Sequence, residues 1–144
     1  MEIALIAEDN KKELMAQFCI AYSGTLRQHH LYATDVTGGY VADAAGLEIE
    51  TCLTGSGGGL EQLGAKIAYD ELDLVFYFRS TESDREHSEA EDDLMRLCDV
   101  YNIPLATNIA TAEALIMALD RGDLNWRNIL NPRSEMNRGR RTMR

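Results

Sequence analysis

Two short apolar runs constrain this chain more than anything else in it: Glu2 to Ala7 (EIALIA) and Leu74 to Phe78 (LVFYF). Neither alternates apolar with polar residues, so neither has a side it can turn to water, and each reads as a strand covered on both faces. Such strands need a helical layer above and below. The rest of the chain is patterned to supply it. Further strands are expected at His30–Ala33, Glu48–Leu53 and Pro104–Ala106, with helical spacing in the gaps. Asp9 is placed to cap a first helix carrying Leu14, Met15, Phe18, Cys19 and Tyr22 at helical intervals. Thr34 to Gly39 reads as a turn, followed by a small helix, Tyr40–Ala45, that Gly46 ends as a C′ glycine. Helices follow over Leu60–Tyr69, through Leu94, Met95, Leu97 and Val100, and from a Thr111 cap to Leu119. In the polar stretch Asp120–Asn131, Trp126 and Ile129 are expected to dock back on the body. Strands alternating with helices at this rhythm predict a single-domain, three-layer α/β/α fold around a five-stranded parallel sheet.

At 144 residues there is room for one ordinary core. No run approaches about 18 consecutive apolar residues, and the chain opens on a strand rather than a signal peptide, so a cytoplasmic protein that does not span a membrane is expected. Cys19, Cys52 and Cys98 are odd in number and widely spaced, and read as reduced core thiols rather than a disulfide frame or a zinc site. No metal or cofactor is implied. The net charge of −10 is uneven: Pro132 to Arg144 holds five arginines against Glu135, a local +4 that leaves −14 on the body. So acidic a body argues against nucleic-acid binding. The natural division is a folded unit over residues 1–131 and an Arg-rich, flexible tail over 132–144.

The chemistry-bearing residues sit where strands end. Leu53-Thr54-Gly55-Ser56-Gly57-Gly58-Gly59-Leu60 joins the third strand to a helix with four glycines in five residues. Glycines admit left-handed backbone and let a ligand approach the amides, and a helix start offers unpaired N–H groups to an anion. The loop is neither a Walker A sequence nor a GxGxxG fingerprint. Glu8, Asp9 and Lys12 follow the first strand, Thr34 and Thr37 the second, Arg79 the fourth, and Thr107-Asn108 the fifth. In a parallel sheet all these loops lie at one edge, where ligands bind near a switch in strand order. An acidic run, Glu82 to Asp93, surrounds Arg85 and His87.

Four segments carry a family resemblance. Ile3-Ala4-Leu5-Ile6-Ala7-x-Asp9-Asn10-Lys11-Lys12, Tyr32-Ala33-Thr34-x-x-Thr37-Gly38, Thr54-Gly55-x-x-Gly58-Gly59 and Asn102-Ile103-Pro104-Leu105-Ala106-Thr107-Asn108-x-Ala110-Thr111-Ala112 resemble the methylglyoxal synthases over residues 1 to about 120. The resemblance implies a flavodoxin-like α/β fold and a homo-oligomer, a hexamer. It also implies an activity in which dihydroxyacetone phosphate loses a carbon-bound proton and then expels phosphate. Lys12, Thr34, Thr37, Thr54 and Gly55 match the positions that hold the phosphate, with Gly58 and Gly59 completing the loop and Val36 replacing a threonine. Glu8 stands where the family has a histidine: the ligand presents a hydroxyl or amine to it, or Arg79 pairs with it, or it points to water.

The acid–base positions match less well. The family's Gly-Gly-Asp-Gln-Gln reads Gly58-Gly59-Leu60-Glu61-Gln62 here, and two further family aspartates align with Ser80 and Ala90. His87 alone matches the family's loop histidine. A positioned base contributes about 10²- to 10⁴-fold in rate, and leucine accepts no proton. Glu61 lies one residue along, about 100° around a helix. The expectation drawn from this is a module that binds or senses a phosphate-bearing metabolite or nucleotide-type ligand and is not an enzyme. The alternatives are an active synthase using a displaced carboxylate such as Glu61, with His87 as proton donor, and a structural partner in a mixed oligomer.

Overall fold

The computed structural model describes residues 1–52, 58–82 and 88–142, with side chains through residue 138. The strands are β1 (Glu2–Ala7), β2 (His30–Thr34), β3 (Ile49–Cys52), β4 (Leu74–Phe78) and β5 (Leu105–Ala106). The helices are α1 (Lys12–Ala21), α2 (Ser23–Leu26), α3 (Asp35–Ala45), α4 (Gly59–Ala68), α5 (Glu89–Val100), α6 (Ile109–Arg121), α7 (Arg127–Leu130) and α8 (Glu135–Thr142). All strand pairings are parallel, in the order β3-β2-β1-β4-β5. The single-domain, three-layer, flavodoxin-like α/β class with five parallel strands is therefore what the chain adopts.

β1 lies at the centre and every one of its residues is buried. Its side chains alternate between two cores. Ile3, Leu5 and Ala7 join Phe18, Val41, Phe76 and Ile116 beneath α1, α3 and α6, while Ala4 and Ile6 join Leu63, Ile67, Tyr77 and Leu94 beneath α4 and α5. Burying one such aliphatic or aromatic side chain contributes about 1.5–3 kcal/mol, and only an interior strand collects that gain on both faces. β4 is buried throughout as well, whereas β3, at an edge, is half exposed.

Several local expectations are corrected. Asp9 opens a short 3₁₀ turn, Asp9–Lys11, ahead of α1, and supplies no side-chain cap. α3 begins at Asp35 rather than Tyr40, so Gly38 and Gly39 lie inside a helix. A Cβ at Gly38 would sit 2.6 Å from Thr51 Cγ2, and that close approach of α3 to β3 is why a glycine stands there. Gly46 does end α3 in the left-handed region, at φ 66°. The α6 cap is Asn108, whose side chain accepts from Thr111 N–H at 3.0 Å; Thr111 donates rather than caps. Trp126 and Ile129 are exposed instead of docked.

Arg127 goes inside in their place, with no exposed surface. Its Nε donates to Asp73 Oδ1 at 3.1 Å and its Nη2 to the Leu72 carbonyl at 2.9 Å. Asp73 also accepts from Asn131 Nδ2 at 3.0 Å and from the Glu2 amide at 2.8 Å. One carboxylate thus joins the start of β1, the entry to β4 and the α7 segment. Part of the stretch expected as a flexible tail is the helix α8, and Asn137 Nδ2 just inside it donates to the Asn131 carbonyl at 2.6 Å. The three cysteines are unpaired, and burial pushes the Cys19 and Cys98 thiols up to about 12.

Two predictions follow from the buried polar groups. Arg127→Ala leaves Asp73 without its charge partner, and removal of one member of a buried pair costs about 3–5 kcal/mol; the urea midpoint of the variant should fall accordingly. His29 Nδ1 faces the Met1 ammonium at 2.9 Å. Burial, and then that ammonium charge, lowers its pKa from 6.5 to about 4. The unfolded chain therefore binds a proton that the folded chain refuses, so this contribution is intact above 6.5 and is lost as pH falls toward about 4. In urea titrations across that interval, His29→Gln should lose less stability than the parent.

Candidate functional site

The sheet reverses its winding between β1 and β4, where Ala7 and Phe78 are register partners. Beyond that pair the two chains diverge into loops, and the crevice between them is where doubly wound folds place ligands. The Glu8 amide still donates to the Phe78 carbonyl at 3.0 Å, carrying the ladder one residue further. The Glu8 carboxylate then accepts the Ser80 amide at 2.6 Å. Ser80 Oγ accepts from Asn10 Nδ2 at 3.0 Å, so the loops after β1 and β4 are laced together.

A cavity of about 310 Å³ opens at this point, lined by Glu8, Asp9, Lys12, Thr34, Val36, Thr37, Leu60, Ile6, Ala7 and Tyr77. Ligand pockets start at about 300 Å³, which suits a small metabolite. Lys12 opens α1 and reaches Asp9 Oδ1 at 2.8 Å, but the Asp9 side chain is 97% exposed. An exposed ion pair of that kind contributes about 0–1 kcal/mol, so an anion in the cavity can draw the ammonium away at little cost. Thr34 and Thr37 are both buried. Thr34 Oγ1 donates to Thr37 Oγ1 at 3.4 Å, and Thr37 Oγ1 donates to the Ala7 carbonyl at 3.3 Å. The end of β2 is thereby tied to the end of β1.

Glu8, Asp9, Lys12, Thr34 and Thr37, singled out from the sequence, thus share one cavity, with Leu60 in its wall. Gly58, left-handed at φ 100°, caps α4, and Gly59 begins it. Thr54, Gly55 and His87 lie outside the described residues. Glu61 lines a different hollow, of about 390 Å³, between α4 and α5, together with Gly64, Ala90 and Asp93. Arg79 Nε donates to Glu91 Oε1 at 2.8 Å, and Glu91 is buried on α5. Sequence reasoning missed that partner, because Glu91 sits in an acidic run that reads as solvated; its helical spacing to Leu94 and Cys98, both core residues, was the available signal. It also missed the Ser80 amide, since a backbone donor leaves no mark in a sequence.

Two larger hollows, of about 690 and 540 Å³, lie at the amino ends of the strands, around His29, His30 and Glu50 and around Met1, Asn131 and Arg133. The smaller cavity takes precedence because it gathers the lysine, the hydroxyls and the carboxylate at the carboxyl edge, where helix starts and loop amides face a ligand.

Fold and crevice together define a class, the doubly wound α/β domains with a ligand cavity at the strand switch point. Residues 15–107 match the MGS-like domain family, and the chain belongs to that family. It is 54% identical over 138 residues to a methylglyoxal synthase of Caldicellulosiruptor saccharolyticus, covering 96% of this chain and 98% of the relative. It is 48% identical over 144 residues to that of Geobacillus thermodenitrificans, covering both chains in full. The crystal structure of methylglyoxal synthase from Elizabethkingia anophelis NUHP1 superposes with a TM-score of 0.72 at 33% identity, covering 80% of this chain and 76% of that one.

These relatives overturn the expectation of a binding or sensing module without enzymatic activity. Proteins sharing about half their residues with this chain along nearly their whole length carry the name of an enzyme. The expectation of inactivity rested on Leu60, Ser80 and Ala90 standing at the family's aspartate positions, which leaves open a carboxylate placed elsewhere in the folded cavity. That cavity contains Glu8.

Because Thr37 ties the strand ends together, Thr37→Val should lower the urea midpoint by the equivalent of about 1 kcal/mol, the net worth of one neutral hydrogen bond.

Proposed function

We propose that this chain is a methylglyoxal synthase, a carbon–oxygen lyase that converts dihydroxyacetone phosphate to methylglyoxal and phosphate. The observation that carries the reading is the cavity at the switch point, which joins Lys12, Thr34, Thr37 and the Glu8 carboxylate in a protein about half identical to enzymes of that name. Lys12 supplies a point charge to the phosphoryl oxygens and the threonine hydroxyls supply directed donors. By the family resemblance Thr54 and Gly55 are further phosphate positions, and Gly58 and Gly59 stand at the start of α4. Ile6, Leu60 and Tyr77 form its apolar wall. By the family resemblance His87 is the donor that faces the developing enediolate oxygen. The reaction redistributes protons and electrons within the substrate, so it calls for no redox cofactor.

The folded unit over residues 1–131 carries the activity, with 132–144 as an appendage, and the family resemblance points to a homohexamer acting in the cytoplasm. No helix among the described residues is long and apolar enough to cross a membrane. The test is the release of methylglyoxal and of inorganic phosphate from dihydroxyacetone phosphate. Loss of a hydrogen bond to a charged group costs about 1.5–3 kcal/mol, so Lys12→Ala should lower kcat/KM by about 10- to 150-fold. A parent protein that releases neither product refutes the reading.

A further inference from the structure

An enediolate forms only if a base takes a proton from carbon, and Leu60 cannot. Among the described residues that line the cavity, the carboxylates are Glu8 and Asp9. Asp9 lies at the open rim: its side chain is almost wholly exposed and is engaged by Lys12 Nζ. Glu61 faces the separate hollow between α4 and α5. Glu8 is partly buried at the switch point, and its Oε2 is fixed by the Ser80 amide at 2.6 Å. An amide donor that holds one carboxylate oxygen orients the group without protonating it. The backbone of Glu8 is fixed independently by its bond to Phe78, the last residue of β4. A base held from both ends on the strand ladder meets the requirement that catalytic geometry be kept to about 0.5 Å.

We propose that Glu8 is the general base of this chain; the inference rests on the reaction proposed above. Glu8 takes a proton from the hydroxymethyl carbon of the triose phosphate, and the C–H electron pair moves onto the carbonyl oxygen to form the enediolate. The hydroxyl on that carbon then gives its proton to the departing phosphate and its O–H pair closes the aldehyde; the enediolate C=C pair shifts to the phosphate-bearing carbon, whose bond to the ester oxygen breaks, the pair leaving with the phosphate held by Lys12. Glu8 returns its proton to the terminal carbon of the resulting enolate as the oxyanion pair re-forms the ketone, and that carbon becomes the methyl group of methylglyoxal. Substrate atoms equal product atoms, and the carboxylate is regenerated. The site has moved its base from the first turn of α4 to the end of β1, and Leu60 leaves an apolar wall at the vacated position.

The experiment compares the parent with Glu8→Gln, Glu8→Asp and Glu61→Gln. Two readouts are taken: methylglyoxal release, and calorimetric binding of inorganic phosphate. Glu8→Gln should cut kcat by about 10²- to 10⁴-fold, the range of a positioned base. Phosphate should still bind with a Kd within about threefold of the parent, since the amide keeps the shape and removes only the proton acceptor. Glu8→Asp should recover part of the rate, and Glu61→Gln should turn over like the parent. Retained phosphate binding shows that the Gln variant is folded; if it fails to bind, the Asp variant carries the same comparison. An active parent with undiminished Glu8→Gln overturns the role of Glu8 alone. An active parent silenced by Glu61→Gln overturns it in favour of Glu61. A parent that binds phosphate but makes no methylglyoxal overturns the proposed reaction itself, and the role of Glu8 falls with it.

Discussion

A strand with no polar side has to be buried twice. β1 satisfies that requirement by lying at the centre of the sheet, with Ile3 and Leu5 under one helical layer and Ala4 and Ile6 under the other. Everything useful in the molecule follows from that placement. Strands added on one side of β1 run toward β3 and on the other toward β5, so the winding has to reverse beside β1 itself. The reversal leaves a crevice at its carboxyl end that no crossover helix fills. The residues just beyond Ala7 and Phe78 inherit the crevice by position, before any question of chemistry arises.

Two buried polar arrangements hold the two ends of this sheet in different ways. At the amino end Asp73 gathers the Glu2 amide, Arg127 and Asn131. Removing charges from water is costly unless further hydrogen bonds offset it; Asp73 accepts three, and they fix where the C-terminal segment attaches. At the carboxyl end, among the described residues, threonine hydroxyls at 3.3–3.4 Å join the ends of β1 and β2, and the Ser80 amide joins the loop after β4 to Glu8.

Much of the architecture was legible because hydrophobic period reports burial directly. EIALIA and LVFYF read as doubly covered strands and are so. Gly46 read as a helix end and is one, because few other residues tolerate that backbone. Failures came where local rules met tertiary demands. Gly38-Gly39 read as a turn, but the glycine serves the contact of α3 with Thr51 inside a helix. Trp126 and Ile129 read as docked for their apolar side chains, but both are exposed and Arg127 goes inside, where Asp73 supplies the counter-charge.

For the site, the sequence by itself determined the membership: which loops follow strands, and hence that Glu8, Lys12, Thr34 and Thr37 belong together. It did so because a parallel sheet puts every strand's carboxyl end on one edge. The tertiary structure alone decided which carboxylate faces the cavity. That depends on the phase of α4, which turns Glu61 toward α5, and on the Ser80 amide, which reaches Glu8 from the loop after β4, adjacent in space but 72 residues away along the chain. Side-chain identity is written in the sequence; the direction in which a side chain is held depends on backbone groups that carry no letter of their own.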